Sequence, residues 1–290
     1  MSLSLALTVL AQVGALNTPG AAPPLPHEQQ AEPLRPPRAR NRAPAAAPVA
    51  VPSRKQQCLE IAEQTPADAE ASASAWLAAA QESEKAVAGE CLGVAFSRQD
   101  KWAEAETAFL AARDASADKV LRARVGAMAG NAALARGDAA AALTALDIAH
   151  ADAAGDASLT GGIAIDRARA LVLLKRSDEA EAALAEARTA APDNAQAWLL
   201  SATLSRRMNK LSEAQAQIEK AAALLPVDPE IGLEAGVIAV LAGRSEAARK
   251  SWQSVLTTAP DSEAAVTAKG YLAQLGPAPA PTAKQTAAKP

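Results

Sequence analysis

Between Ser53 and Gly276 the apolar residues, mostly alanine, recur at helical spacing, and few runs alternate or are β-branched. The pattern predicts helices and no sheet. In the segment SDEAEAALAEAR (177–188) the carboxylates fall on the outer helix face, where the expectation is solvated surface. The helices are punctuated at a fixed interval. Pro192, Pro226 and Pro260 lie 34 residues apart, and Pro66 and Pro229 are the only other prolines between Ser53 and Gly276. A breaker recurring at one interval in alanine-rich helical sequence marks an internal repeat.

With each unit ending two residues beyond its proline, three units run 161–194, 195–228 and 229–262. Two more, 86–119 and 123–156, follow from their internal pattern, with insertions of about three and four residues separating these first units. A small residue recurs at position 8 (Gly93, Gly130, Ala168, Ala202, Gly236). Alanine recurs at position 20 (Ala105, Ala142, Ala180, Ala214, Ala248). Position 24 is large (Phe109, Leu146, Leu184, Ile218, Trp252). Position 27 is Ala112, Ala149, Ala187, Ala221 and then Val255. Position 15 is glycine twice, at Gly137 and Gly243. Small residues let the two helices of a unit approach, the large residue fills the space beside them, and a polar turn separates them. One unit cannot bury its own apolar face, whereas five stacked units can.

This pattern resembles the tetratricopeptide repeat (TPR) family. The resemblance implies an all-α fold, a right-handed superhelical solenoid of helix-turn-helix units. The departures are Phe96, Ala133, Leu171, Ser205 and Ala239 at position 11, usually tyrosine; a tryptophan at position 4 only in Trp198; and Ala117 and Ala154 at the proline position of the first two units. Residues 53–85 read as a degenerate repeat or an N-terminal cap, and 263–276 as a C-terminal cap helix stopped by Gly276 and Pro277.

The termini differ in composition. Ser2 to Leu16 is apolar and too short to span a bilayer comfortably. Its length suits the core of a secretory signal peptide within residues 1–17, with cleavage after Ala15, although no Lys or Arg precedes it. The other reading is a frayed helix. Residues 18–52, with ten prolines and nine alanines, are expected to be a disordered linker, and residues 277–290 a disordered tail. Arg35, Arg38, Arg40 and Arg42 make the linker either a solvated spacer or a short basic docking strip.

The net charge is −3. Four arginines against Glu28 and Glu32 give the first 52 residues +2, and Lys284 and Lys289 give the tail +2, so the body carries −7. An acidic body argues against nucleic-acid binding by the repeats. Three functions are open: an exported scaffold in a bacterial periplasm or envelope, without a membrane span after cleavage; a cytoplasmic regulatory or co-chaperone module; and, disfavoured by the lack of a separate catalytic domain, an enzyme whose catalysis uses the groove. The oligomeric state stays open.

Candidate chemistry is sparse. Cys58 and Cys91, the only cysteines, are 33 residues apart; if residues 54–64 form the first helix of a degenerate unit, they fall near the same place on neighbouring first helices. They are a disulfide candidate, favoured by export, or two buried thiols. His27 lies in the linker and His150 in the last turn of a second helix, where a helix dipole suits it. Trp76, Trp102, Trp198 and Trp252 are expected to fill the core. No catalytic constellation, cofactor motif or metal spacing stands out, so no enzyme is expected.

The family resemblance implies a concave groove lined by first helices, with ligand contacts at positions 2, 5, 9, 12 and 13. The polar candidates are Glu90, Ser97, Arg98, Arg124, Asn131, Arg169, Gln196, Thr203, Arg206 and Arg207; the last unit offers Glu230 with Leu233, Val237, Val240 and Leu241. The groove therefore reads as more basic than the body, suited to an acidic peptide or a C-terminal carboxylate. The carboxylate clamp of some relatives is incomplete: Asn131 occupies position 9, but Ile165 stands where the next unit would need lysine.

Overall fold

A computed structural model describes residues 52–276. The expected signal peptide, the linker with its arginines and His27, and the C-terminal tail lie outside the described residues. Thirteen α-helices and no strand occur among the described residues. They are α1 (Arg54–Gln64), α2 (Pro66–Ala79), α3 (Glu82–Ser97), α4 (Trp102–Asp114), α5 (Lys119–Ala135), α6 (Ala139–Asp152), α7 (Ala157–Leu173), α8 (Ser177–Ala190), α9 (Ala195–Arg207), α10 (Leu211–Leu224), α11 (Pro229–Leu241), α12 (Ser245–Thr258) and α13 (Glu263–Leu275). Each odd helix packs on the even one after it, and each even helix on the next odd one, as expected for a solenoid of helix pairs.

The prolines act where the pattern puts them. Pro192, Pro226 and Pro260 each follow by two the last residue of α8, α10 or α12. The residues between, Ala191, Leu225 and Ala259, are drawn out to φ near −130 to −140° with positive ψ, because a following proline excludes the helical conformation. Asp228 caps α11, accepting the Ile231 N–H, and Pro229 fills its first position, where no N–H is needed.

Pairs of small and large residues set the distance between helices. A Cβ at Gly93, Gly130 or Gly236 would overlap the side chain of Phe109, Leu146 or Trp252 respectively. These large residues, with Leu184 and Ile218, are all buried. They define successive layers of the core.

Two features go beyond the repeat pattern. The first concerns the insertions. Residues 120–122 and 157–160 are helical, so α5 and α7 each gain an extra N-terminal turn and reach 17 residues, against 13 for α9 and α11. Asp118 and Asp156 cap the lengthened helices through the Val120 and Leu159 N–H groups, and with Ala117 and Ala154 no proline holds the chain extended there.

The second concerns the turns. The residue at position 15 is left-handed in all five units: Gly137 and Gly243 with φ of 87° and 73°, but also Asp100, Lys175 and Asn209 at 57–61°. Two helices joined so tightly need that conformation whether or not glycine supplies it.

Trp76 and Trp252 are buried, while Trp102 and Trp198 are half-buried. Trp198 Nε1 donates to the Pro192 carbonyl at 2.8 Å. His150, in the last turn of α6, sits 2.6 Å from Glu186 on α8 and so joins neighbouring even helices as well as facing the α6 terminus. No helix among the described residues is long and apolar enough to cross a membrane.

Candidate functional site

The odd helices lie side by side: α1 against α3, α5 against α7, α9 against α11, and α11 against α13. Small side chains on the even helices bring the odd ones close, and their outward positions form one long face. All ten polar groove candidates of the first four units lie on the odd helices or at their ends, but most of the basic ones are already engaged.

Arg124 on α5 donates through Nε and a terminal nitrogen to the two Glu90 oxygens on α3, at 3.1 and 3.2 Å. Lys55 of α1 reaches the same carboxylate at 2.7 Å. Arg98 pairs with Glu63 of α1. Asn131 of α5 donates to Asp166 of α7 at 2.9 Å, and Arg169 donates to the other Asp166 oxygen at 2.6 Å. Arg206 of α9 donates to Glu234 of α11 at 2.6 Å. Apart from the Arg169–Asp166 pair within α7, these bonds run from one layer to the next and hold the odd helices in register.

Glu90 and Asp166 are buried, and the Glu234 side chain is 13% exposed, so these three depart from the expected outer-face placement of carboxylates. Their negative charge offsets the arginines, and the face is less basic than its arginine count. Asp166 and Glu234 sit at position 6 of their units, outside the five groove positions, which is why sequence reasoning passed over them. A signal was present: Glu63/Arg98, Glu90/Arg124, Asn131/Asp166 and Arg206/Glu234 are complementary pairs 28 to 35 residues apart, about one layer.

Arg207 is different. It is exposed and, among the described residues, has no carboxylate partner. It borders a cavity of about 270 Å³ between α7 and α9, lined by Ala168, Val172, Leu173, Leu184, Leu200 and Leu204 with Arg169 and Thr203 at its edge. Leu173 is 60% exposed there. Further cavities open along the same face. One of about 450 Å³ lies between α5 and α7 beside Arg124, Asn131 and Asp166. One of about 350 Å³ between α9 and α11 takes in Gln196, Thr203 and Leu233 together with the carboxylates of Asp228, Glu230 and Glu234. One of about 320 Å³ between α11 and α13 is walled by Val237, Val240, Leu241, Trp252 and Tyr271. The α7–α9 and α9–α11 cavities share Leu200 and Thr203. The cavities thus differ in character: the α7–α9 one is apolar, the α11–α13 one mainly so, and the α5–α7 and α9–α11 ones are lined by charged and apolar groups together.

Neither a family profile nor a curated protein matches the sequence. Solved structures do match in shape. PilW, described as a widely conserved type IV pilus biogenesis factor, superposes with a TM-score of 0.63 at 19% identity, over 73% of this chain and 95% of that one. Pseudomonas aeruginosa pilF gives 0.60 at 13% identity, over 75% and 97%. YrrB, a TPR protein with an unusual peptide-binding site, gives 0.51 at 17% identity, over 68% and 97%. At these identities the likeness speaks to the fold, which is TPR-like: an all-helical solenoid of stacked helix pairs.

Proposed function

We propose that this chain is a non-enzymatic interaction scaffold or adaptor, exported to a bacterial periplasm or envelope, that holds an extended protein segment along the odd-helix face. The observation that carries this reading is the row of cavities between the odd helices from α5 to α13, with Arg207 free beside the apolar one between α7 and α9. A large apolar side chain fills that cavity, and an acidic side chain or C-terminal carboxylate next to it takes Arg207 and the free donors of Arg169. Arg98, Arg124 and Arg206 serve chiefly to hold the helices in register. Gln196 and Thr203 supply polar points for the segment's backbone. A protein of the same fold, YrrB, carries a peptide-binding site, which supports such a use of the face.

The test is partner capture with Leu173→Glu and Arg207→Glu beside the wild type. Both side chains are exposed, so helicity and melting temperature stay unchanged. Losing one seated leucine contact and one charge pair weakens the captured partner by roughly 10- to 100-fold. An identical partner set at identical affinity refutes the groove. Export is tested separately by the mass of the mature N-terminus. Cleavage after Ala15 supports it, and an intact Met1 or Ser2 in the cytosol refutes it.

A further inference from the structure

Helix α1 is attached differently from the other odd helices. Its sequence, RKQQCLEIAEQ, is polar, and Cys58 and Ala62 are its only buried residues. The odd helices from α3 to α11 bury four to eight residues each. With half-buried Leu59 and Ile61, the latter packed near Ala69 and Ala95, Cys58 and Ala62 still give an 11-residue helix little buried apolar area. Three cross-links to α3 stand in for that area. Lys55 pairs with Glu90 at one end, Glu63 with Arg98 at the other, and between them Cys58 faces Cys91 with 6.3 Å separating the Cα atoms. That separation is within the disulfide range. The cysteines are 4% and 0% exposed and pack with Trp76 of α2, over whose ring the Arg54 guanidinium lies at 4.5 Å.

We propose that the Cys58–Cys91 disulfide is a redox latch that makes α1 part of the groove. When it is oxidised, α1 is the first wall of the odd-helix face, with Lys55 fixed on Glu90 beside Arg124. When it is reduced, two ion pairs, the Arg54–Trp76 stack and a narrow apolar face hold α1, which opens locally and leaves the face one helix shorter. The oxidant is the disulfide of an oxidised dithiol, of the thiol–disulfide oxidoreductase class. One cysteine thiolate attacks that disulfide to form a mixed disulfide and expels one thiolate. The second cysteine thiolate then attacks the protein-side sulfur and expels the other. Cys58 and Cys91 together give up two electrons and two protons, and the reagent leaves as a dithiol. Because both sulfurs are buried, exchange in either direction requires α1 to lift from α3. The inference stands apart from the groove reading, because it concerns how α1 is held and not what binds.

The test uses the full chain folded with an oxidised dithiol. Tryptic digestion without reductant is expected to yield peptide 56–85 linked to peptide 86–98, with no alkylatable thiol after denaturation. Dithiothreitol is expected to reduce the native protein at least about tenfold more slowly than the urea-unfolded protein. Lys55→Ala with Glu63→Ala is expected to speed native reduction roughly three- to tenfold and leave the urea rate alone, since the exposed Glu63–Arg98 pair holds α1 weakly and Glu90 keeps Arg124 as a partner when Lys55 is lost. After reduction, α1 amides are expected to exchange hydrogen about tenfold faster while α9–α12 stay unchanged. Two alkylatable thiols after oxidative folding, equal native and urea rates, or unaltered α1 exchange on reduction would each overturn the latch.

Discussion

Gly236 on α11 lies directly against the indole of Trp252 on α12, and any Cβ added there would overlap the ring. The indole is locked from its other side too: its Nε1 donates to the Leu233 carbonyl at 3.1 Å, and Tyr271 packs on it with ring centroids 5.2 Å apart. Gly236→Ala is therefore expected to destabilise by about 1–3 kcal/mol, because overpacking outweighs the gain in helix propensity of up to ~1 kcal/mol. Gly270 on α13 is the contrast, with nothing within 4 Å of its would-be Cβ. There the propensity term acts alone, and Gly270→Ala is expected to stabilise by about 0.5–1 kcal/mol. Urea unfolding of both variants checks the opposite signs.

Lys175 holds a left-handed conformation at φ 61° in the α7–α8 turn, where two other units use glycine. Lys175→Gly relieves the Cβ clash and is expected to raise stability by about 0.5–1 kcal/mol. Gly137→Ala, at φ 87°, is expected to lose about 1 kcal/mol for the same reason. Thermal melts of the two variants should move in opposite directions.

The Lys55–Glu90–Arg124 chain is asymmetric in burial: the carboxylate is 5% exposed, the two cations 29% and 44%. Glu90→Gln leaves two cations that can turn to water and is expected to cost about 1 kcal/mol or less. Removing both cations with Lys55→Ala and Arg124→Ala strands a buried carboxylate and is expected to cost about 3 kcal/mol. Equal costs in chemical denaturation would show that burial does not decide the outcome.

Acid should weaken the fold. Hydrogen bonds from Lys101 and then Gln99 hold the Glu70 carboxyl below its ordinary range; Arg176 does the same for Glu179, and the Ala141 N–H for Asp138. A depressed carboxyl contributes stability that is complete above its unfolded pKa and is lost as pH falls through the folded one. The melting midpoint is expected to drop as pH passes below about 4. Lys210, raised by its bond to Glu181, contributes below the ordinary lysine value and loses that contribution only at higher pH. The triple variant Glu70→Gln, Glu179→Gln, Asp138→Asn should show a shallower acid slope. A midpoint that rises on acidification would contradict the assignment.

Much of the architecture was legible in the sequence, because the relevant contacts are local. Gly93 and Phe109 are 16 residues apart within one unit, and their sizes report the fit directly. The extra turns of α5 and α7 were readable too, since Asp118 and Asp156 stand where an N-cap belongs; the insertions drew attention as gaps when they were helix starts. The candidate face was less legible. Arg124, Asn131 and Arg206 look like free ligand donors until the layer one repeat away supplies Glu90, Asp166 and Glu234. Arg169 was settled by a residue one turn earlier in its own helix, Asp166, whose burial no local pattern reveals.

By itself the sequence determined the repeat: its 34-residue period, the breakers at Pro192, Pro226 and Pro260, and the pairing of a small residue with a large one inside each unit. Those features act through backbone conformation and volume, which a residue carries with it. Tertiary structure alone decided which charges stay free, since an arginine's availability depends on how deeply its neighbour's carboxylate is buried. It also decided that an apolar cavity opens between α7 and α9 with Arg207 unpaired beside it, and that α1 packs on α3 closely enough to put Cys58 and Cys91, matched in place by the repeat, at a Cα separation of 6.3 Å. Each of these is a relation between layers, and it exists only once the layers have stacked.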